Sequence, residues 1–502
     1  MIPVLKSYTK NKKVRREKNE ETKKIISAGV ALCMAAGCVS CSKNKETSER
    51  PVNLVWYMLG PQKAGIEEVN EKINEYTLEK LGCTITLINI PTDYTSKLRL
   101  SIARGEEFDI AFTANTFGFY EFATKKAFMP LGDLLDEYGK GIKEILPDYF
   151  YPSATVNGKL YAIPAYKDAA QESVISYNLA LAEQYSVDSD SIKELKDLEP
   201  YMAAFKKDHP NEYPLGLTGY VWKYFYDFTG YIPVSGDRTL CMYTDMDGDE
   251  TKIMNPFISE KTREYLDLMY DWYSKGYIQK DAATADSIPE ETMFSGGEIL
   301  PYQQETNNRT KAPELQRGII HIRGPVMTTT AGSMQAISSS SKHPEKAMEF
   351  LNLLNTDAYL RNLVTYGIEG KHFVKLDDLH YKYPEGVDAA DVDYSSYQYT
   401  IGNGYLKYQP EGTPDDIYEK YHEFDENSYK SPTLGFYLDP APISNELAAV
   451  QNVYAEYGKS LMTGSVDPEK YLPEFLEKLN AAGYEKVLTE TQKQYDEWRG
   501  IK

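Results

Sequence analysis

Val52-Asn53-Leu54-Val55-Trp56-Tyr57 is a β-rich run that stops at Gly60-Pro61, and it predicts the first strand of the fold. Ile66, Val69, Ile73 and Tyr76 then recur at three and four residues, and Leu81 precedes Gly82, which predicts an amphipathic helix with a C-terminal glycine. Thr84 to Ile90 reads as a second strand, Ser96 to Ala103 as a helix, and Phe108 to Phe112 as a short third strand. Strand and helix in alternation predict a parallel sheet. Ligands of such sheets bind beyond the carboxyl ends of the strands, so the loops Trp56 to Gly60 and Thr113 to Gly118 are the first candidate walls of a site.

Farther on, Val156 to Tyr166 holds an Asn157-Gly158 hairpin turn and a strand whose Pro164 restricts it to an edge or a crossover. It reads as a crossing between lobes. Between Asp168 and Arg317, two stretches show helical periodicity: Ser191 to Phe205, and Ser259 to Gly276 with Tyr265, Leu266, Met269 and Trp272 on its apolar stripe. Asp245-Met246-Asp247-Gly248-Asp249 looks superficially like a calcium loop, but it has neither the glycine at the sixth position nor the glutamate at the twelfth, and it reads as a solvated turn. Residues 376–442 are rich in Tyr, Asp and Pro and show only a brief helical pattern. The chain then turns helical again: Leu447 to Leu461 before Gly464, a helix from Asp467-Pro468 to Gly483, and a third from Val487 to Trp498. No period of 20 to 50 residues repeats, which removes solenoids and propellers.

Length bounds the architecture. At 502 residues one core would be too large, and two lobes are expected. The formal net charge of −20 makes nucleic acid an unsuitable partner, because phosphate binding wants clustered Lys and Arg on a basic face. That charge is unevenly spread. Residues 1–24 carry nine Lys/Arg against three Glu, Ile25 to Met34 form an apolar run, and small residues follow at Ala35-Ala36-Gly37 before Cys38. The run is shorter than the ~20 residues of a membrane span, so the segment reads as a cleaved leader, 1–37, whose loss would take the side-chain charge to −26. A polar tether follows at 38–50.

Catalytic templates find no support. There is no G-x-S-x-G elbow, no phosphate-cradling G-x-x-x-x-G-K-S/T, and no Cys/His pair in a recognisable context. The six histidines are scattered without HxxxH spacing, so neither a metal site nor a cofactor is expected. Glycoside hydrolysis needs only two carboxylates ~5 to ~9.5 Å apart, and a chain with 75 acidic residues always keeps that alternative open. Cys83 and Cys241 read as buried free thiols, with a disulfide between them as the other reading. The positive chemistry is aromatic: 42 tyrosines, and a cluster at Trp222, Tyr224, Phe225, Tyr226 and Phe228. Sugar rings offer flat C–H faces to aromatic planes while their hydroxyls need polar partners, a combination that suits carbohydrate. Trp272 and Trp498, on helical stripes, read as packing residues.

Three blocks in order carry a resemblance: Gly105-Glu106-Glu107-Phe108-Asp109-Ile110, then Asn157 to Pro164, then Gly332-Ser333-Met334-Gln335-Ala336-Ile337-Ser338 with the helix-opening Lys342 to Ala347. Their order and separation resemble the family 1 extracellular solute-binding proteins of ABC importers over most of residues 51–375. Ala35 to Cys38 resembles the lipobox of bacterial lipoproteins, in which Cys38 is acylated; Cys41 is the competing cysteine. The resemblance implies an α/β, two-lobed periplasmic-binding-protein-like fold of type II, with the ligand cleft between lobes joined by hinge crossings. Lobe 1 would be 51–164 plus 325–365, and lobe 2 would be 166–322 plus 370–502, including the extra C-terminal region of the larger lipoprotein branch. It also implies a non-enzymatic, monomeric protein, lipid-anchored on a Gram-positive surface, that captures an oligosaccharide by hinge closure and delivers it to membrane permease subunits. An oligopeptide carrier, a secreted glycoside hydrolase and a ligand-presenting surface sensor are the alternatives.

Candidate ligand contacts follow from loop position together with this resemblance. Trp56 and Tyr57 end the first strand, and alternation turns one of them inward. Thr113 and Asn115 follow the third strand, as hydroxyl-binding residues or as a plain turn. Tyr166 and Lys167 follow the crossing proline. Trp222 and Tyr224 lie in the aromatic cluster, Tyr302 and Gln303 on the second lobe's wall or in a solvated loop, Ser333 at the second crossing, and Tyr366 near the third.

Overall fold

A five-stranded and a four-stranded sheet, each with its own apolar core, carry the two lobes of the described residues. The structure, a computed structural model, describes residues 51–218 and 222–500, with the backbone alone at 222 and 223. The candidate lipid sites Cys38 and Cys41 lie outside the described residues.

In the first lobe, Val52–Leu59 pairs in parallel with Cys83–Ile90 on one side and Ile110–Thr113 on the other. Met334–Ile337 adds antiparallel to Ile110–Thr113, and Ala162–Pro164 closes the edge. Pro164 therefore sits at an edge strand, where its missing N–H costs no ladder bond. The first strand runs two residues beyond Tyr57, which moves its carboxyl end to Gly60-Pro61. The helix Ile66–Leu81 turns Val69, Ile73 and Thr77 inward and ends with Gly82 in the left-handed region at φ 67°. Asp109 pins two neighbours: one carboxylate oxygen accepts from the Val55 N–H at 2.8 Å, the other from the Ser341 hydroxyl at 2.5 Å. That role accounts for an aspartate at the start of an otherwise apolar strand.

The second lobe is built on Arg317–His321, Glu172–Asn178, Phe294–Ile299 and Leu215–Gly216, in that spatial order. The helix Glu260–Ser274, capped by the Ser259 hydroxyl, lays Tyr265, Leu266, Met269 and Trp272 against this core. Trp272 is fully buried, as its stripe predicts. The helices Ser444–Met462, Pro468–Ala481 and Tyr484–Arg499 pack on the same core, matching the three periodic segments.

Three crossings join the lobes and are tied to one another. The Gln171 N–H donates to the Val326 carbonyl and the Val326 N–H to that of Gln171, while the Tyr429 N–H donates to Pro325 and the Ser431 N–H to Met327. First and second crossings thus share a short ladder with residues 429–431, where the chain makes its third crossing, not near Tyr366 as expected. Asp425, on the helix Ile417–Glu426, adds a side-chain clamp: its carboxylate accepts from the amides of Ala169 and Ala170.

The structure bears out the reading of Cys83 and Cys241 as buried free thiols and corrects other sequence expectations. Cys83 lies in the first core and Cys241 in the second, both free, so no disulfide joins them. Trp498 is 45% exposed and stacks on Tyr495 near the surface, because the stripe of its helix turns outward in the last turn. The Asp245–Asp249 loop is more than a solvated turn: Lys261 reaches Asp245 and Asp247, and Arg323 pairs with Asp247 while donating to the Asp227 carbonyl. Those contacts hold the end of the strand Arg317–His321 beside the second crossing. Tyr394 and Ile401, from the segment assigned with lobe 2, pack into the first core instead.

Candidate functional site

A cavity of about 230 Å³ opens where the crossings meet both lobes. Lys167 and Asp168 enter it from the first crossing, and Leu300 from the loop after the second lobe's strand Phe294–Ile299. Gln398, Tyr399, Ile401, Tyr405 and Lys407 come from the segment that covers the first lobe. Tyr418 and Tyr421 face in from one side of the helix Ile417–Glu426, three residues apart.

Aromatic rings dominate the walls. Tyr405 stacks on His422 with centroids 4.1 Å apart and meets Tyr166 edge-on at 4.7 Å. Tyr399, half exposed, lies parallel to Tyr397 at 5.8 Å. The Tyr405 hydroxyl is shielded from solvent and has no hydrogen-bond partner. Flat rings with polar groups between them fit the faces and hydroxyl edges of a sugar.

The charges are unbalanced. Lys407 donates to the Gln398 side-chain oxygen at 3.1 Å, and burial together with nearby Arg361 lowers its pKa to about 8. Lys167 donates to the Asp168 carbonyl at 3.2 Å. Arg361, wholly buried beneath them, is held by the carbonyls of Asn403 and Gln398, each at 2.9 Å, and by the Thr365 hydroxyl. Burial lowers its pKa to about 10, so it keeps its charge at neutral pH.

The structure sorts the sequence candidates sharply. Lys167 alone of the twelve lines the cavity, among the described residues. Trp56 is fully buried, its indole N–H on the Gln335 oxygen at 2.8 Å and its ring edge-on to Phe350. Tyr57 stacks on Phe108 at 5.1 Å. Both sit before the strand's true end, so neither reaches the carboxyl edge. Thr113 is buried with its hydroxyl on the Phe117 carbonyl, and the Asn115 side chain accepts from the Thr116 N–H, a turn role. Tyr224 is buried in the second core, its ring over Gly296. Trp222 opens the helix Trp222–Thr229 where an irregular segment was expected, and its side chain lies outside the described residues.

Three candidates stand one step behind the wall. Tyr166 packs on Tyr405, Tyr366 donates to the Tyr408 carbonyl and reaches the Gln398 oxygen, and the Tyr302 hydroxyl donates to Asp416. Gln303 caps its own turn by accepting from the Leu300 N–H, and Ser333 is buried with its hydroxyl on the Gly332 carbonyl. Most of the wall belongs to residues 398–421, which no periodicity marks; the density of tyrosine there was its only sequence sign.

A second cavity, about 670 Å³, lies between the Asn157-Gly158 hairpin and residues 435–442, walled by Trp498 and by Asp439, Glu490 and Glu497. Next to it Tyr120 stacks on Tyr437 across the lobes, with centroids 3.9 Å apart and planes at 12°. The first cavity is the better candidate because the first crossing and a second-lobe loop both wall it, so a change in lobe angle changes its width.

Two lobes on separate sheets, three tied crossings and an aromatic cavity at their junction define a hinged binding protein. Residues 61–360 match the bacterial extracellular solute-binding protein family, and residues 432–500 match a domain of unknown function, DUF3502. The chain is similar to a carbohydrate ABC transporter substrate-binding protein of Streptococcus pneumoniae serotype 4 (strain ATCC BAA-334 / TIGR4), at 30% identity over 497 residues, 96% of this chain and 99% of the relative. Among solved structures it is similar to the N-glycan transport solute binding protein NgtS of Streptococcus pneumoniae, with a TM-score of 0.77 at 28% identity, covering 89% of this chain and 98% of that one. The same protein in complex with Man5GlcNAc gives a TM-score of 0.63 at 28% identity over 89% and 98%. The chain belongs to the bacterial extracellular solute-binding proteins.

Proposed function

We propose that the protein is the substrate-binding component of an ABC importer and captures an oligosaccharide in the cavity at the lobe crossings. The observation that carries this reading is the wall of tyrosines and polar side chains from residues 398–421 and the first crossing, closed by Leu300 of the second lobe. Binding would shift the population toward a closed form, which the permease reads, with no covalent change in the ligand. The relatives named above, described by carbohydrate and N-glycan transport, support it.

The protein would act outside the cytoplasm, held by acyl groups on Cys38. More than one chain gives a stable hold, where a single chain binds weakly. No helix among the described residues is long and apolar enough to cross a membrane. Mass spectrometry of the mature N-terminus should find an acylated Cys38 as first residue; a chain starting at Cys41 would move the anchor.

Thermal-shift screening against oligosaccharides and oligopeptides tests the ligand class. A ligand at 100 times its Kd adds about 2.7 kcal/mol of stability. Stabilisation by sugars and not by peptides is expected. Stabilisation by peptides alone overturns the carbohydrate reading, and release of shorter sugars from a stabilising ligand would make the protein a hydrolase.

A further inference from the structure

The cavity and its surroundings hold three cationic side chains, Lys167, Lys407 and Arg361, against two carboxylates, Asp168 and the buried Asp425. None of the three cations has a carboxylate within ion-pair distance among the described residues: the acceptors are the carbonyls of Asp168, Asn403 and Gln398, the Gln398 side-chain amide and the Thr365 hydroxyl. Such a surplus is out of character for a chain of net charge −20, whose other lysines are repeatedly paired, as at Lys261–Asp245 and Lys275–Glu199.

Leaving an ammonium group out of water without a counter-charge is costly, and a neutral amide acceptor recovers only part of that cost. Arg361 and, more weakly, Lys167 oppose the charge of Lys407, while Asp168 favours it. An anion placed between the two ammonium groups would remove both penalties and gain charge-assisted hydrogen bonds, which are roughly twice as strong as neutral ones. The unpartnered Tyr405 hydroxyl, on the same wall, supplies a donor for a further oxygen. Hydroxyl groups of a neutral sugar could accept these hydrogen bonds, but they would leave the charge uncompensated. At physiological salt the protein's overall negative charge is screened beyond ~8 Å, so the local surplus decides the interaction inside the cavity.

We propose that the ligand is an acidic oligosaccharide whose carboxylate seats between the Lys407 and Lys167 ammonium groups. The proposal rests on the carbohydrate reading above and narrows it. Uronic acids and sialic acids present the same carboxylate, and the probes distinguish them. Calorimetric titration of the protein with lactose and with sialyllactose, and with neutral galactose trimers and galacturonic acid trimers, compares each acid with a neutral counterpart. At least one acidic probe should bind ten-fold or more tightly than its neutral counterpart. Lys407→Gln and Lys167→Gln should each cut the ratio of acidic to neutral affinity several-fold, and Lys407→Arg should retain it. Thermal unfolding of each variant shows that it is folded. Neutral sugars binding as well as or better than their acidic counterparts, or a preference that survives both glutamine variants, overturns the acidic ligand and leaves the carbohydrate reading standing. Binding of peptides and of no sugar overturns both.

Discussion

The Asp425 carboxylate accepts a 2.8 Å hydrogen bond from the Ala170 N–H, across 255 residues of chain, and two more of 3.1 Å from Ala169. It fastens the helix that leads into the third crossing to the first crossing, and it holds the Lys167-Asp168 turn at the cavity mouth.

That carboxyl is 2% exposed, and burial raises its pKa from 3.8 to about 6 in spite of the two amides. A raised carboxyl pKa favours the folded state most below the unfolded value, and the advantage is lost as pH rises through about 6. The difference amounts to at most ~3 kcal/mol. Asp425→Asn should therefore gain stability relative to the parent between pH 4 and pH 7, as urea denaturation at the two pH values would record. A parent–variant difference that is flat with pH would show that the amide bonds outweigh burial. Facing the carboxyl are Asp168 and Lys167 from the first crossing, and both are retained in the comparison.

Trp56 separates core from ligand contact. Trp56→Phe removes the indole donor and leaves the buried Gln335 oxygen unsatisfied, so a loss of about 2 kcal/mol is expected in chemical denaturation. Sugar affinity of the folded variant should stay within about two-fold of the parent. A large drop in affinity at unchanged stability would return Trp56 to the ligand wall.

Tyr399 offers the opposite case, half exposed and on the cavity wall. Tyr399→Ala should weaken binding of the stabilising saccharide by about ten-fold, in line with ~1.4 kcal/mol for a stacked aromatic contact. Its melting temperature should barely move. Unchanged affinity in titration calorimetry would place the sugar elsewhere.

Gly464 closes the helix Ser444–Met462 at φ 70°, and a Cβ there would lie 2.1 Å from the Met269 carbonyl oxygen. Gly464→Ala combines a left-handed backbone with a clash against fixed main chain. A loss of more than ~2 kcal/mol is expected by denaturation, since neither the turn nor the facing helix can give way cheaply. Near-parent stability would mean that the C-terminal helices can shift as a body.

Local pattern sufficed for the first lobe's leading strands, for the main helices of both lobes, for the edge position of Pro164 and for the buried Trp272, because burial of one face imposes a period on the chain that produces it; the four strands of the second sheet carried no such signal. The blocks around Asp109, Asn157 and Gln335 were legible too. What their side chains do is pin neighbouring strands, and the partner strand could not be seen from the block itself. The binding wall was the least legible part. Tyr405, Lys407 and Tyr418 stand in a stretch without periodicity, and they meet Lys167 and Leu300 only after the chain has crossed between lobes and returned. Sequence by itself determined the main elements, the first two crossings and the aromatic supply; tertiary structure decided which aromatics face the cavity, since that choice depends on the register at which Trp56 points to Phe350 and on non-local contacts that no short-range spacing encodes.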